Sequence, residues 1–596
     1  MEPKKQSIYD LFKSDELYII PCYQRKYDWD KSNCNQLLDD LLNAGKNNQP
    51  HLMGTIVLYQ SNEQPNSYFI VDGQQRLLTF YLLIKALSIT ATTYIAKDDL
   101  NELHRMLYVN NNTNQLKIKP IAYDEKVLID IIDNKAFAGN SNLLANFNYF
   151  CNKIRERLNQ YQGSSFIDGL KNLECAIVFF DKNSREDPQM VFEKINATGV
   201  KLALHDQIKN FMLICLDEKI MNEIYFNYWV KLEDQFKDLE NAGHLFDDFL
   251  INYFNYKIEG NIAQKRAYFS FTNYVINNSK NHPDLKIEIL SEMITLAKYY
   301  LYFAFGCYDH DFQTEIHYPP SINAYLTWFK ILGQTTIYPF LFHLFLLKIN
   351  DDVLAKILNF IFIYYVRRKL TNIASEPLNQ LFKDLFKKVY CDNAGNPNIT
   401  SKTDYYTLLV NYLMNSNAVE PDSRYQSDGN VIDNLLRNKV NDSLAIKCLF
   451  LCLNYHNLIP ECKELAFENK KFKGWIEMKI EYIIPDDNEH SEIWKAYLKD
   501  QAFDFDWMFE NGKLGLIGNL GIISSNNKNH TNDDTFSKKQ SFFQDCQYKH
   551  LYQFVINYQG KWNLDAINQR SVLIANQAVQ LFKINDDVND NNLRKE

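Results

Sequence analysis

The 596-residue chain has little glycine and little proline, 19 and 15 residues, which argues against long disordered linkers. Its eleven cysteines include no Cys-x-x-Cys pair. Cys448 and Cys452 stand four apart in an apolar helical run, where buried thiols are expected rather than ligands. Neither a zinc site nor a disulfide framework is implied, and a reducing compartment fits. The opening residues MEPKKQSIYDLF lack the apolar stretch of a signal peptide, and runs such as 338–347 are too short and interrupted to span a bilayer. A cytoplasmic location without a membrane partner is expected. Positive charge is in deficit too, with 64 Lys and Arg against 73 Asp and Glu, a formal net charge of −9. Proteins that coat nucleic acid non-specifically carry the opposite sign. Any DNA contact is therefore expected to be local, on a patch such as Arg367-Arg368-Lys369.

What remains is an ordinary globular composition, 46% hydrophobic and 23% charged, in a chain too long for one core. Three regions are expected. Residues 1–215 alternate strand-like runs (54–59, 68–71 and 175–180) with helices such as 77–89, an α/β pattern. Residues 216–440 carry long apolar-periodic segments, including 287–305 and 354–365, and read as a helical scaffold. Residues 441–596 open with a helix near 445–455, followed by strands near 475–484 and 514–523 and a polar helix-like stretch after Asp533. The fold class is α+β.

Asp72-Gly73-Gln74-Gln75-Arg76 follows a strand and opens a helix. Free N–H groups at a helix N-terminus attract anions, and Gly73 permits close approach. Arg76 is placed to pair with a phosphate, and Asp72 to hold a metal or orient a water. The competing reading is a capping box between Asp72 and Gln75, which needs no ligand.

Two other segments bear on that choice. Upstream lies Ile20-Pro21-Cys22-Tyr23-Gln24-Arg25-Lys26-Tyr27-Asp28-Trp29. Downstream lies Phe192-Glu193-Lys194-Ile195-Asn196-Ala197-Thr198-Gly199, leading to Asp206-Gln207-Ile208-Lys209-Asn210. Together the three resemble the N-terminal domain of the GmrSD family of modification-dependent restriction enzymes. The resemblance implies a ParB/sulfiredoxin-like fold that binds and hydrolyses a nucleoside triphosphate, GTP or ATP. Carried over, Tyr23, Gln24, Arg25 and Gly73 contact nucleotide, Asp72, Gln74, Gln75 and Arg76 form the hydrolytic loop, and Asn196, Lys209 and Asn210 complete the pocket. The chain departs from the pattern at Leu78, where the family often has Thr, and at Ala203, where it often has a helix-capping Ser or Thr. Tyr364-Tyr365-Val366-Arg367-Arg368 is similar to a segment of the family's helical part, which implies a specific partner for Arg367 and Arg368.

The same family often carries a second, HNH-like ββα-metal nuclease domain. The matching residues are Glu481-Tyr482-Ile483-Ile484-Pro485 and Gly518-Asn519-Leu520, then Asn526, Asn527, Asn529 and Asn532, and finally Phe536 and Lys538-Lys539. By resemblance Glu481, Asn527 and Asn532 bind a divalent metal such as Mg2+, and Lys538 and Lys539 meet nucleic acid. Tyr482 stands where the family has its catalytic histidine. A tyrosine with a pKa near ~10 is a poor general base at neutral pH. Alternation puts Tyr482 on an apolar face with Ile476, Met478 and Ile480, and a surface position is the commoner fate for Glu481. His490 and His530 are the candidate substitutes, His530 the better placed. Two functions follow: a triphosphate-dependent restriction or anti-phage protein acting on foreign or modified DNA, or a nucleotide-switched sensor with an inactive nuclease domain. Partners of either are DNA, a second copy of the chain, or another defence protein.

Overall fold

The computed structural model describes residues 3–584 apart from 62–63, 65, 111, 136–140, 182–201, 215, 259–261, 281, 393–396, 401–402, 416–418, 462, 487–490 and 526–534. The chain forms two compact units, one of Met1–Leu250 with Gln264–Ile294, the other of Ile251–Ala263 with Thr295–Glu596.

In the first unit the strands are β1 (Lys4–Ser7), β2 (Leu17–Ile19), β3 (His51–Gln60), β4 (Ser67–Asp72), β5 (Tyr108–Val109), β6 (Asn112–Leu116), β7 (Ile118–Lys119) and β8 (Leu173–Phe180). Its first seven helices are α1 (Ile8–Lys13), α2 (Lys31–Asn47), α3 (Gln74–Thr90), α4 (Lys97–Arg105), α5 (Ala122–Ile132), α6 (Asn142–Arg157) and α7 (Gly163–Asn172). Six strands make a mixed sheet in the order β1-β8-β3-β4-β2-β7, while β5 and β6 pair separately. The three runs read as strands from sequence fall inside β3, β4 and β8. They carry the β-branched and aromatic residues that suit a pleated, half-buried surface. β1, β2 and β7 are at most four residues long and offer too few alternations to be read.

Helix α3 is apolar nearly all round, and Leu77, Phe80, Tyr81, Leu82, Leu83 and Ile84 are all fully buried. A helix without a polar face belongs inside a core. Its N-terminus, at the end of β4, is thereby fixed from both sides, by strand pairing before the turn and by core packing after it.

In the second unit no strand occurs among the described residues before β9 (Met478–Tyr482). The expected helices appear as Leu285–Leu301, Asp351–Leu370 and Ser443–Tyr455. β9 pairs antiparallel with β10 (Leu520–Ser524), in register Glu481 to Gly521 and Tyr482 to Leu520. The strand expected near 475–484 is shorter than its apolar run, because Lys473–Glu477 is a helical turn. Ile476 is consequently 60% exposed and does not share a sheet face with Tyr482.

Candidate functional site

The turn from β4 into α3 is built from two irregularities. Between Val57–Asp72 and Leu58–Ile70 the β3/β4 register shifts, so Val71 is left out of the ladder. Its carbonyl accepts from Gln24 Nε2 at 3.0 Å. Gly73 then takes φ +94°, a left-handed conformation that costs other residues strain, and it caps α3 without any side-chain bond. The capping-box reading is thus corrected: the cap is Gly73, not Asp72, and Gln75 faces elsewhere. The first backbone N–H groups of α3 have no capping side chain, which leaves them and the positive end of the helix available to an anion.

Arg76 reaches from this first turn across β3. Its Nη1 donates to the Met53 carbonyl at 3.2 Å, and its Nη2 lies 3.5 Å from Asp72 Oδ2. Gly54, at φ +103°, makes room for it, since a Cβ there would lie 2.2 Å from Nη1. A glycine inside a β-branched run marks such a bulge, a sequence signal that was available. Asp72 and Arg76 keep 30% and 22% of their side chains exposed, so the long ion pair between them leaves both free to engage a ligand.

The two glutamines of the motif do a different job. Gln75 Oε1 accepts from the backbone N–H of Asp28 at 2.9 Å and Trp29 at 3.3 Å, and its Nε2 donates to Lys26 O at 3.1 Å. Gln74 Nε2 donates to Arg25 O at 2.9 Å. Asp124 accepts from the Tyr27 N–H at 2.9 Å, and Asn146 donates to the Trp29 carbonyl at 2.8 Å and to the Tyr27 hydroxyl at 3.1 Å. A loop without regular structure must satisfy its backbone groups somewhere. Here side chains from α3, α5 and α6 do it. Gln75 thus uses both ends of its amide on residues 26–29, while Gln74 uses only its Nε2 and keeps a buried Oε1 without a partner. Tyr23 is buried, Gln24 is spent on β4, and Arg25 is exposed.

Lys209 and Asn210 lie on the helix Leu204–Leu213, both buried. Lys209 Nζ sits 3.0 Å from Asp206 and 3.5 Å from Glu233. Burial alone would lower its pKa, but these two carboxylates outweigh that and hold the ammonium above its ordinary value. Ala203 gives this helix no cap, and Asp247 supplies one from the helix Ala242–Lys257. It accepts from Leu204 N at 3.3 Å, His205 N at 2.9 Å and His205 Nδ1 at 2.7 Å. Glu233 and Asp247 carry no local sequence signal, because their partners are 24 and 42 or more residues away. Asn196 lies outside the described residues.

In the second unit Glu481, Asn519 and Lys539 are engaged internally. Lys539, on the helix Phe536–Gln544, is fully buried, and its Nζ lies 3.1 Å from Glu481 Oε1 and 2.7 Å from the Tyr482 carbonyl. The expectation of a surface Glu481 is corrected, since only 8% of that residue is exposed. Lys539 is likewise no nucleic-acid contact, being sealed from solvent. Lys538 is exposed. Burial raises the Tyr482 pKa further, with Lys439 opposing, which makes it a still poorer base. Asn519 stitches the strand ends together. Its Oδ1 accepts from Ile484 N at 2.9 Å, while its Nδ2 donates to the carbonyls of Ile484 and Leu514, both at 2.8 Å. Asn527, His530, Asn532 and His490 lie outside the described residues. Among the described residues no group of three or more His, Cys, Asp or Glu is placed to hold a metal ion.

Arg367 and Arg368 are each 1% exposed, so the expected DNA contact is corrected here as well. Arg367 donates to the carbonyls of Gln426 and Phe582 at 2.8 Å and pairs with Asp428. Arg368 donates to Ala374 O at 2.8 Å. These arginines tie loops and the C-terminal helix end to the helix Asp351–Leu370.

The first unit is thus an α/β domain whose sheet presents an open, anion-ready turn beside a clamped loop. Residues 8–213 match the family model for the N-terminal domain of the GmrSD restriction endonuclease. The match does not extend into residues 214–596. No curated protein matches the chain. No helix among the described residues is long and apolar enough to cross a membrane.

Proposed function

We propose that the first unit binds and hydrolyses a nucleoside triphosphate at the β4–α3 turn, as part of a restriction or anti-phage protein acting on foreign or modified DNA. The observation that carries this reading is the uncapped first turn of α3 at Gly73, with Arg76 beside it. Backbone amides there hold phosphate oxygens, and Arg76 adds a bidentate partner for charge that develops on the transferred phosphoryl group. Asp72, part-exposed at the same turn, orients the attacking water. A divalent cation arriving with the triphosphate would neutralise phosphate charge, with Asp72 as its protein contact. Gln24, Gln74 and Gln75 act by fixing the loop that carries Arg25 and Tyr23. Phosphate release by the purified full chain tests this, with GTP and ATP supplied separately. Loss of turnover in both Asp72→Ala and Arg76→Ala supports the reading, and unchanged turnover in either sinks it.

For the second unit a binding role is favoured over cleavage. Glu481, the carboxylate available to a metal, is already neutralised by Lys539, and Tyr482 is no general base. A nucleotide-switched protein that engages DNA or a partner without cutting fits these two facts. The order of strands and helix expected of an HNH site does not by itself supply the chemistry.

A further inference from the structure

With Arg367, Arg368 and Lys539 buried, only Lys538 of the expected nucleic-acid contacts stays exposed. An open groove with a volume of about 400 Å³ lies between the start of the helix Phe536–Gln544 and residues 556–561. That volume lies within the ~300–1,000 Å³ typical of small-ligand sites. Its lining includes Thr535, Ser537, Gln540, Tyr497, Tyr558 and Lys561, and among the described residues no lining side chain is acidic. Lys561 is exposed and forms no ion pair among the described residues. The walls are fixed in place. Gln540 Nε2 donates to Val555 O at 2.9 Å and to Tyr558 O at 3.0 Å, and the Trp562 N–H donates to Tyr497 Oη at 2.7 Å. Trp562, wholly buried and packed edge-on to Tyr558 at 5.5 Å, backs this wall.

We propose that this groove binds a nucleoside phosphate, either a free nucleotide or the terminal unit of a nucleic-acid strand. The described lining is polar, carries one unpaired ammonium and has no carboxylate among its described residues, which favours an anion over an apolar or cationic ligand. Thr535 caps its helix without a side-chain bond, so first-turn amides add donors for phosphate. Tyr558 and Tyr497 supply ring surface for a base, the combination of aromatic platform and cation that single-stranded nucleic acids use. The site is separate from the β4–α3 turn and goes beyond the triphosphate reading.

The test is fluorescence anisotropy on the full chain and on its Asp72→Ala variant, with a short labelled 5′-phosphorylated thymidine oligonucleotide. Both proteins bind it, which separates this site from the first unit. Tyr558→Leu weakens binding by about fivefold or more, and Tyr558→Phe does not. Lys561→Gln weakens it and lowers the salt slope by about 0.7. Ser537→Pro, which removes one amide while keeping a residue tolerated in a first helical turn, weakens it as well. Melting curves confirm that each variant is folded. Competition by thymidine 5′-monophosphate as strong as by the oligonucleotide assigns a free nucleotide; competition by the strand alone assigns a strand end. Absence of binding, indifference to all three substitutions, or equal competition by inorganic phosphate overturns the proposal.

Discussion

The β4–α3 turn and the β9–β10 pair with its following helix are both motif-bearing strand-to-helix regions, yet they treat their polar groups in opposite ways. At Gly73 the helix end is uncapped, and Asp72 and Arg76 meet only at 3.5 Å while part-exposed. At β9 the corresponding groups are used up internally: Glu481 on Lys539, Asn519 on Ile484 and Leu514, and Arg570 on the carbonyls of Gly518 and Leu520. A motif's letters do not distinguish a side chain left over for a ligand from one spent on packing. Satisfaction does, because a buried polar group that has its partners has nothing left to offer.

The sharpest way to break this contrast is Lys539→Ala. Stranding the Glu481 charge should cost about 3–5 kcal/mol, read by denaturant unfolding with hydrogen exchange at β9. A loss below about 1 kcal/mol would mean that the pair is not sealed as described. In the first unit Arg76→Ala should do the reverse: a stability change within about 1 kcal/mol, but phosphate release reduced by about 100-fold or more. Gln75→Ala should cost about 1–3 kcal/mol, because it leaves the Asp28 and Trp29 amides without their acceptor.

Acid should separate the two units as well. His343, stacked 4.1 Å from Phe386, is held by burial at about 3. The unfolded imidazole, near ~6.5, takes its proton first. Local stability around Tyr338–Leu346 therefore falls as pH drops below about 6.5, by at most ~1.4 kcal/mol per pH unit, down to the folded value. The Asp247 cap of the first unit behaves differently. Burial would raise its pKa, but bonds from His205 and Leu204 outweigh burial and hold the carboxyl below its ordinary range. Its contribution stands above about pH 4 and is lost as pH falls through the folded pKa. Hydrogen exchange at pH 5 should thus show faster opening at 338–346 than at 204–213, and His343→Phe should remove the difference. The smallest effect is expected from Tyr482→His. Plasmid nicking with Mg2+ should remain undetectable, because Glu481 stays with Lys539, and robust nicking would place this region beside the β4–α3 turn as a second reactive site.

Sequence periodicity was enough for the longer elements. β3, β4, β8 and α3 lie where their β-branched and apolar runs put them, since burial of one face imposes that pattern. It failed where a side chain's fate depends on distant chain. Gln75 reads as a capping-box partner or a catalytic group, and only the arrival of residues 26–29 shows that its amide holds a loop. Ala203 reads as a missing cap until Asp247 provides one. Ile476 reads as strand because its run is apolar, while the backbone there is a helical turn and the side chain is exposed.

The sequence by itself determined that this protein has an α/β region containing a strand-to-helix turn at Gly73, and a long helical remainder with a short antiparallel pair. It did so because hydrophobic period, glycine position and motif order are local properties. Only the tertiary structure decided which charges are available. Arg367, Arg368 and Lys539 look alike in sequence to Arg25, Arg76 and Lys561, but the first three are enclosed and the others reach solvent. An ion's usefulness depends on what surrounds it, and the partners of Arg367, for instance, lie 59 to 215 residues away along the chain.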